Sequence, residues 1–226
     1  MRIYRQLCQS DYMKQHTLAR FLSSCVIAAI PVTLIMWATL ELLRHDYSPL
    51  RNLLGEYLVG PFSFLGTAAT CMLAAAFLVL LVGLRLSVRP SGFLTASCVL
   101  LGVVVISLCV SAVFPIDVRP PDGNRPTFTG AGLIHIVSAV RFYALLIALL
   151  LTLPSAYKRD EKWRPLLRVT LFLGFLILAF QVGFILAPFD LRGLVQRGIG
   201  LVILVWLVLT SLRLRQAIPS SHGTAA

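Results

Sequence analysis

Residues 130–153 read GAGLIHIVSAVRFYALLIALLLTL, and this stretch decides the architecture. It contains no acidic residue, one arginine and one histidine. As a helix it would rise about 36 Å at 1.5 Å per residue. The hydrocarbon core of a bilayer is roughly 30 Å thick and takes about 20 apolar residues to cross. A helix that is apolar all round belongs in lipid or in the core of a much larger protein.

Working outward, five further runs have the same character: Phe21–Leu43, Pro61–Leu86, Gly92–Phe114, Pro165–Ala187 and Leu194–Leu212. The chain of 226 residues is 58% hydrophobic and only 13% charged, against roughly 25% charged in a soluble domain. The reading is an all-α polytopic membrane bundle of six transmembrane helices. Residues 1–20 form a basic tail, 21–215 a single transmembrane domain and 216–226 a C-terminal tail. The first run is too long for a signal-peptide core and has no small-residue cleavage site after it, so it is read as a retained anchor. Pro31 is a potential kink within it.

The net charge of +11 would suggest nucleic acid in a soluble protein. Here the basic residues sit between apolar runs, where they set orientation. Thirteen fall on one set of alternate loops: Arg2, Arg5, Lys14, Arg20, Arg85, Arg89, Lys158, Arg159, Lys162, Arg164, Arg168, Arg213 and Arg215. Six fall on the other: Arg44, Arg51, Arg119, Arg125, Arg192 and Arg197. The richer side is expected to be cytoplasmic, with both termini there. Glu41, Asp46, Glu56, Asp117, Asp122 and Asp190 collect on the opposite, outer side together with His45 and His135.

Four of the five cysteines, Cys25, Cys71, Cys98 and Cys109, lie inside apolar runs and act as small hydrophobes. Cys8 lies in the tail, and no pair has zinc-ligand spacing. Two outer histidines are too few for a convincing metal site, so no metal or cofactor is expected.

Two outer segments are more than connectors. In Ser48–Leu58 the apolar positions 50, 53, 54, 57 and 58 follow helical spacing, with Ser48 as N-cap and Pro49 at the first helical position. This predicts a short helix lying in the outer interface. A second feature is an echo: Pro115-Ile116-Asp117-Val118-Arg119 and Pro188-Phe189-Asp190-Leu191-Arg192 share one pattern at two outer helix ends. Shared turn chemistry explains it, the aspartate serving amide donors at the next helix. Repeated helical hairpins are the alternative.

Ser48-Pro49-Leu50-Arg51, Gly55-Glu56, Gly60-Pro61, Phe114-Pro115-Ile116-Asp117, His135 and Gly193-Leu194-Val195-Gln196-Arg197 form a set of short motifs. Together they resemble a bacterial family of six-span membrane proteins known as domain of unknown function 998. The resemblance covers roughly residues 45–213. It implies the fold and a place in the bacterial cytoplasmic (inner) membrane, and no activity.

The candidate site is drawn from the outer half. Arg141 lies about 16 Å into its span, where a charge is costly and should face the bundle interior. Glu41, Asp117 or Gln181 is expected to meet it. His135, Ser138 and Arg141, at i+3 spacing, form a polar stripe that could line an outward pocket with Tyr143 and Phe142. His135 is either a helix-start residue bonded to the Asp117 loop or a general base paired with Asp117. Gln196 and Arg197 complete the set, with Arg197 expected to pair with Asp190 at the surface. Glu56 either closes over the pocket or faces solvent.

Three functions compete: a non-enzymatic protein that binds or moves an amphipathic or lipid-like molecule, an intramembrane enzyme using His135 and Asp117, and a structural or assembly partner. Membrane lipids and a small amphipathic ligand are the expected partners, and nucleic acid is not. Orientation is directly testable. Reporter fusions after Arg89 and after Arg125 are expected to read cytoplasm and exterior respectively; the reverse pattern overturns the orientation, and agreement between them overturns the span count.

Overall fold

The structure is a computed structural model that describes residues 2–118 and 128–217, with side chains from residue 17 onward. Arg119, Asp122 and Arg125 of the charge count lie outside the described residues.

The described chain is helical, with six long helices. They are α1 (Arg2–Leu43), α2 (Ser63–Ser87), α3 (Gly92–Val113), α4 (Gly130–Tyr157), α5 (Leu167–Leu186) and α6 (Arg192–Gln216). All six are long and apolar enough to cross a membrane. Their bounds follow the apolar runs because turn residues bracket them. Ser91 caps α3 by accepting a hydrogen bond from the Leu94 amide, and Thr129 caps α4 by accepting one from Gly132. One boundary differs from the expected spans. α1 extends back to Arg2, so the basic segment is continuous with the first span. Pro31 lies inside that helix without ending it, because a proline costs one hydrogen bond and helical neighbours continue the ladder.

The helices pack as a closed ring in chain order, α6 returning to lie against α1. α2 also touches α6 across the middle. There Phe77 of α2 meets Phe142 of α4 and Trp206 of α6 at centroid separations of 6.3 and 6.2 Å. Leu80, Leu146, Ile203 and Leu207 fill in around them. Large apolar side chains such as Phe21, Ile35, Phe64, Ile106, Phe172 and Leu186 stay exposed on the flank, as lipid contact requires.

One end of the bundle, termed lower, is sealed by aromatic packing. Tyr157 stacks on Trp163 at 5.1 Å, both fully buried. The Trp163 indole N–H donates to the Ser87 carbonyl, Asp160 accepts from the Arg89 amide, and Arg213 donates to the Lys162 carbonyl. Ser23 of α1 donates to the Ser211 carbonyl of α6 nearby.

The other end, termed upper, carries the segment between α1 and α2. The expected α-helix over 49–58 does not form there. Residues 48–52 make turns and only Leu54–Leu58 coils, as a 3₁₀ helix. Ser48 is not a helix cap: its backbone N–H donates to the Asn52 carboxamide at 2.9 Å. The apolar spacing is real, but five residues of 3₁₀ suffice to bury Tyr57 and present Leu54 and Leu58 downward.

The aspartate of the first echo does what turn chemistry predicts. Asp117 accepts hydrogen bonds from the Thr129 amide and hydroxyl, both at 2.8 Å, and so braces the start of α4. This requires Gly132, where a β-carbon would lie 1.8 Å from the carboxylate. Asp190 does something else: it is exposed and stands 3.8 Å from Arg51, a pair worth little. Gly132→Ala is expected to break the Asp117 brace and lower stability by about 1–2 kcal/mol. Gly130→Ala, where an added β-carbon meets nothing, should leave the thermal melt in detergent unchanged; equal effects at the two positions would refute the brace.

Candidate functional site

Beneath the upper segment lies a cavity of about 400 Å³, within the range of sites that hold small ligands. α1 contributes Thr33, Leu34, Trp37, Ala38 and Glu41. α4 contributes His135, Ala139, Phe142 and Tyr143, and α6 runs from Gln196 to Leu204 along one wall. Thr70, Leu73 and Leu108 form the far side, and Leu54, Gly55 and Leu58 the roof. Most of this surface is apolar, and the charged and most of the strongly polar groups sit near the roof. Leu34, Ala38 and Leu201 line the cavity and are also exposed on the flank, on α1 and α6.

The roof is held by Arg197. Its guanidinium donates to Glu41 through Nε at 2.7 Å and forms an ion pair through Nη2 at 2.6 Å. Nη1 donates to the carbonyls of Asn52 and Gly193 at 3.0 and 3.1 Å. One side chain on α6 thereby joins α1 and the upper segment. Its predicted partner, Asp190, is engaged elsewhere. The pair forms with Glu41 because both are only partly exposed, at 17% and 26%, so a charge inside needs a charged neighbour. Arg197 also stands 5.6 Å over the ring of Tyr57, whose phenol pKa is pushed up by burial.

Backbone contacts complete the dock. The Leu194 amide donates to the Leu50 carbonyl, and Gly193 lies so close to the carbonyls of Pro49, Leu50 and Asn52 that a β-carbon would meet them at 2.6–2.8 Å. Gln196 accepts from the Leu54 amide at 2.7 Å and donates to the Tyr143 hydroxyl at 3.1 Å. Glu56 neither closes over the cavity nor faces solvent. It is buried and accepts from the Leu53 amide and the Asn52 carboxamide, fixing the segment's own turn.

The segment's entry is set by Arg44, a residue the sequence reading counted only as charge. Arg44 is buried; it pairs with Asp46 at 2.8 Å, donates to the Val59 carbonyl at 2.7 Å and stacks on Tyr47. The guanidinium holds the Asp46 carboxyl below the usual carboxylate range. Gly60, at φ +82°, turns the chain back tightly against it. The Arg-x-Asp spacing just beyond a helix end was the available signal.

His135 donates through Nδ1 to the carbonyls of Phe114 and Ser111 at 2.8 and 3.1 Å. Both partners are acceptors, so Nδ1 carries the proton and Nε2 is a free acceptor in the neutral ring. Nε2 faces Gly55, where a β-carbon would lie 2.8 Å away. No hydrogen bond joins His135 to Asp117, whose carboxylate serves Thr129; the histidine instead holds the end of α3.

The expected polar stripe does not form. Ser138 is buried away from the cavity, and Arg141 is exposed on the flank with a hydrogen bond from Nε to Ser107 at 3.0 Å. Neither Glu41, Asp117 nor Gln181 meets it. The reason is helical geometry: steps of three fall short of a turn, so residues 135 and 141 point about 120° apart. The cavity-facing line follows steps of four, through His135, Ala139 and Tyr143. Gln181 does not line the cavity either, and its buried carbonyl oxygen has no hydrogen-bond partner among the described residues. Of the expected site residues, His135, Glu41 and Arg197 meet around one cavity, while Ser138, Arg141, Asp117, Glu56 and Gln181 do not line it.

These features define a six-helix membrane protein with a roofed, largely apolar cavity. A family profile described as protein of unknown function (DUF998) matches residues 27–213, and the chain belongs to that family. No curated protein and no solved structure matches it. Several of the residues that carry the resemblance perform the docking just described: Leu50, Gly55, Glu56, Gly60, His135, Gly193, Gln196 and Arg197.

The Arg197–Glu41 bond is expected to be the energetic centre of this end. Arg197→Ala should cost roughly 2–3 kcal/mol, between an exposed pair and a fully buried one. A double-mutant cycle with Glu41→Ala, read by thermal unfolding, should show strong coupling. The same cycle for Arg141→Ala with Glu41→Ala should be additive; coupling there would contradict the geometry.

Proposed function

We propose that this protein binds, and passes along its flank, a lipid-like molecule held in the cavity beneath the 48–58 segment. The single observation that carries the reading is the division of the cavity: a long apolar wall on α1, α2, α4 and α6, with Glu41, Arg197, Gln196, Tyr143 and His135 gathered under the roof. An amphipathic molecule has that same division, one polar end and one apolar end. Leu34, Ala38 and Leu201 line the cavity and are exposed, so a chain entering from lipid would pass between α1 and α6. The basic asymmetry of the loops supports a roof on the outer side of a bacterial cytoplasmic membrane. His135 and Asp117 have separate structural duties, which leaves an acid–base dyad without geometric support.

The test fills the cavity. In nanodiscs, alkyl-chain lipids bearing a photoreactive diazirine should label α1, α4 and α6 peptides of the native protein. Ala139→Trp, which projects into the space, should abolish labelling with little loss of thermal stability. Labelling that persists in Ala139→Trp would place the chain outside the cavity and defeat the proposal.

A second reading, a structural partner within the membrane, draws support from Arg141, whose charge lies exposed on the lipid flank. Under it, Arg141→Leu alters assembly size on native gels, and Ala139→Trp has no effect.

A further inference from the structure

The hydrogen-bonding groups left open under the roof define the ligand's headgroup. Resting on the reading of the cavity as a lipid site, we infer that the ligand is an uncharged, hydroxyl-bearing lipid of the monoacylglycerol or long-chain alcohol class, not a fatty acid or phospholipid.

Charge is the first ground. The charged side chains lining the cavity are Glu41 and Arg197, and they neutralise each other at 2.6 Å. Arg197 also has two backbone carbonyls on Nη1, so its cationic field is largely answered within the fold. A carboxylate or phosphate headgroup would bring a further negative charge beside Glu41 in a mostly apolar space. Burying an unpaired charge is among the most costly events in a protein.

The donor and acceptor inventory is the second ground. The Leu54 amide fixes the orientation of Gln196: its Oε1 faces that N–H, so its NH₂ faces Tyr143. The Tyr143 oxygen therefore accepts, and the proton of its hydroxyl has no acceptor among the described residues. His135 shows the complement. With Nδ1–H committed to Phe114 and Ser111, Nε2 offers a lone pair, and its neighbour is the carbon-bound hydrogen of Gly55. Tyr143 and His135 thus offer the cavity a donor and an acceptor, beside the hydroxyls of Thr33 and Ser111 that also line it.

Tyr143 and His135 both line the cavity beneath the roof. Gly55 abuts His135 Nε2, and the adjoining Leu54 amide reaches Tyr143 through Gln196. A hydroxyl or glycerol headgroup supplies both an O–H for Nε2 and an oxygen for Tyr143. A carboxylate or phosphate diester has no proton for the histidine. The apolar wall then takes the chain.

The experiment compares headgroups on one tail. Diazirine-tailed monoacylglycerol, fatty acid and alkyl phosphate are titrated against the protein in phosphatidylcholine nanodiscs, and labelled cavity peptides are quantified. The monoacylglycerol should label at a concentration at least tenfold lower than either anion. Its glycerol dimethyl ether, with both free hydroxyls methylated, keeps the acceptors and loses the donors, and should bind roughly fivefold more weakly to unaltered protein. Tyr143→Phe should weaken the monoacylglycerol by a similar factor. An anion that labels the cavity as well as the monoacylglycerol does overturns the headgroup assignment while leaving the lipid site standing. A dimethyl ether that binds as tightly as its parent also overturns it, without dependence on any variant. Absence of labelling by every probe removes the lipid site itself and the headgroup with it.

Discussion

The docking of the 48–58 segment onto the first turn of α6 is the constraint on which the upper half of the protein depends. A guanidinium largely buried among the helices must be satisfied from within the fold, since the hydrocarbon around it offers no partner. Arg197 achieves this by taking a carboxylate from α1 and carbonyls from the segment and from its own helix. Gly193 makes the approach possible by having no side chain where three backbone carbonyls lie. Removing either feature would separate the roof from the helices and leave a buried charge or buried carbonyls without partners.

The cavity follows from that dock. Six apolar helices in lipid gain little from hydrophobic association alone, because acyl chains are as apolar as their side chains. Close packing is achieved in the middle by Phe77, Phe142 and Trp206 and below by Tyr157 and Trp163. Above Phe142, the small residues Ala139 and Gly200 leave space unfilled. Its polar groups are consequences of the same arrangement: Gln196 joins the Leu54 amide to the Tyr143 hydroxyl, and His135 bonds the end of α3 through Nδ1.

Family membership and the geometry illuminate each other. Short motifs scattered from Ser48 to Arg197 become contiguous in space: Leu50 on Leu194, Gly55 on His135, Gly60 on Arg44, and Gln196 on Leu54. They describe a way of roofing the bundle. Whatever the cavity holds, this roof sets its polar end.

Sequence alone determined the spans, because an apolar run of some twenty residues has few alternatives to a membrane helix, and each helix satisfies its own backbone wherever its neighbours lie. It likewise placed Glu41, His135 and Arg197 at one end, since chain position along a span fixes height. It also gave Asp117 its turn role, a local matter of donors and acceptors. Rotation about each helix axis and the choice of partner were decided only by tertiary packing. Arg141 and His135 lie six residues apart, yet one faces the flank and the other the cavity, because the helix turns about 100° per residue. Arg197 has Asp190 seven residues away in the chain and pairs instead with Glu41, 156 residues away. The ring of helices brings that carboxylate within reach at partial burial, where a charge gains most from a charged partner.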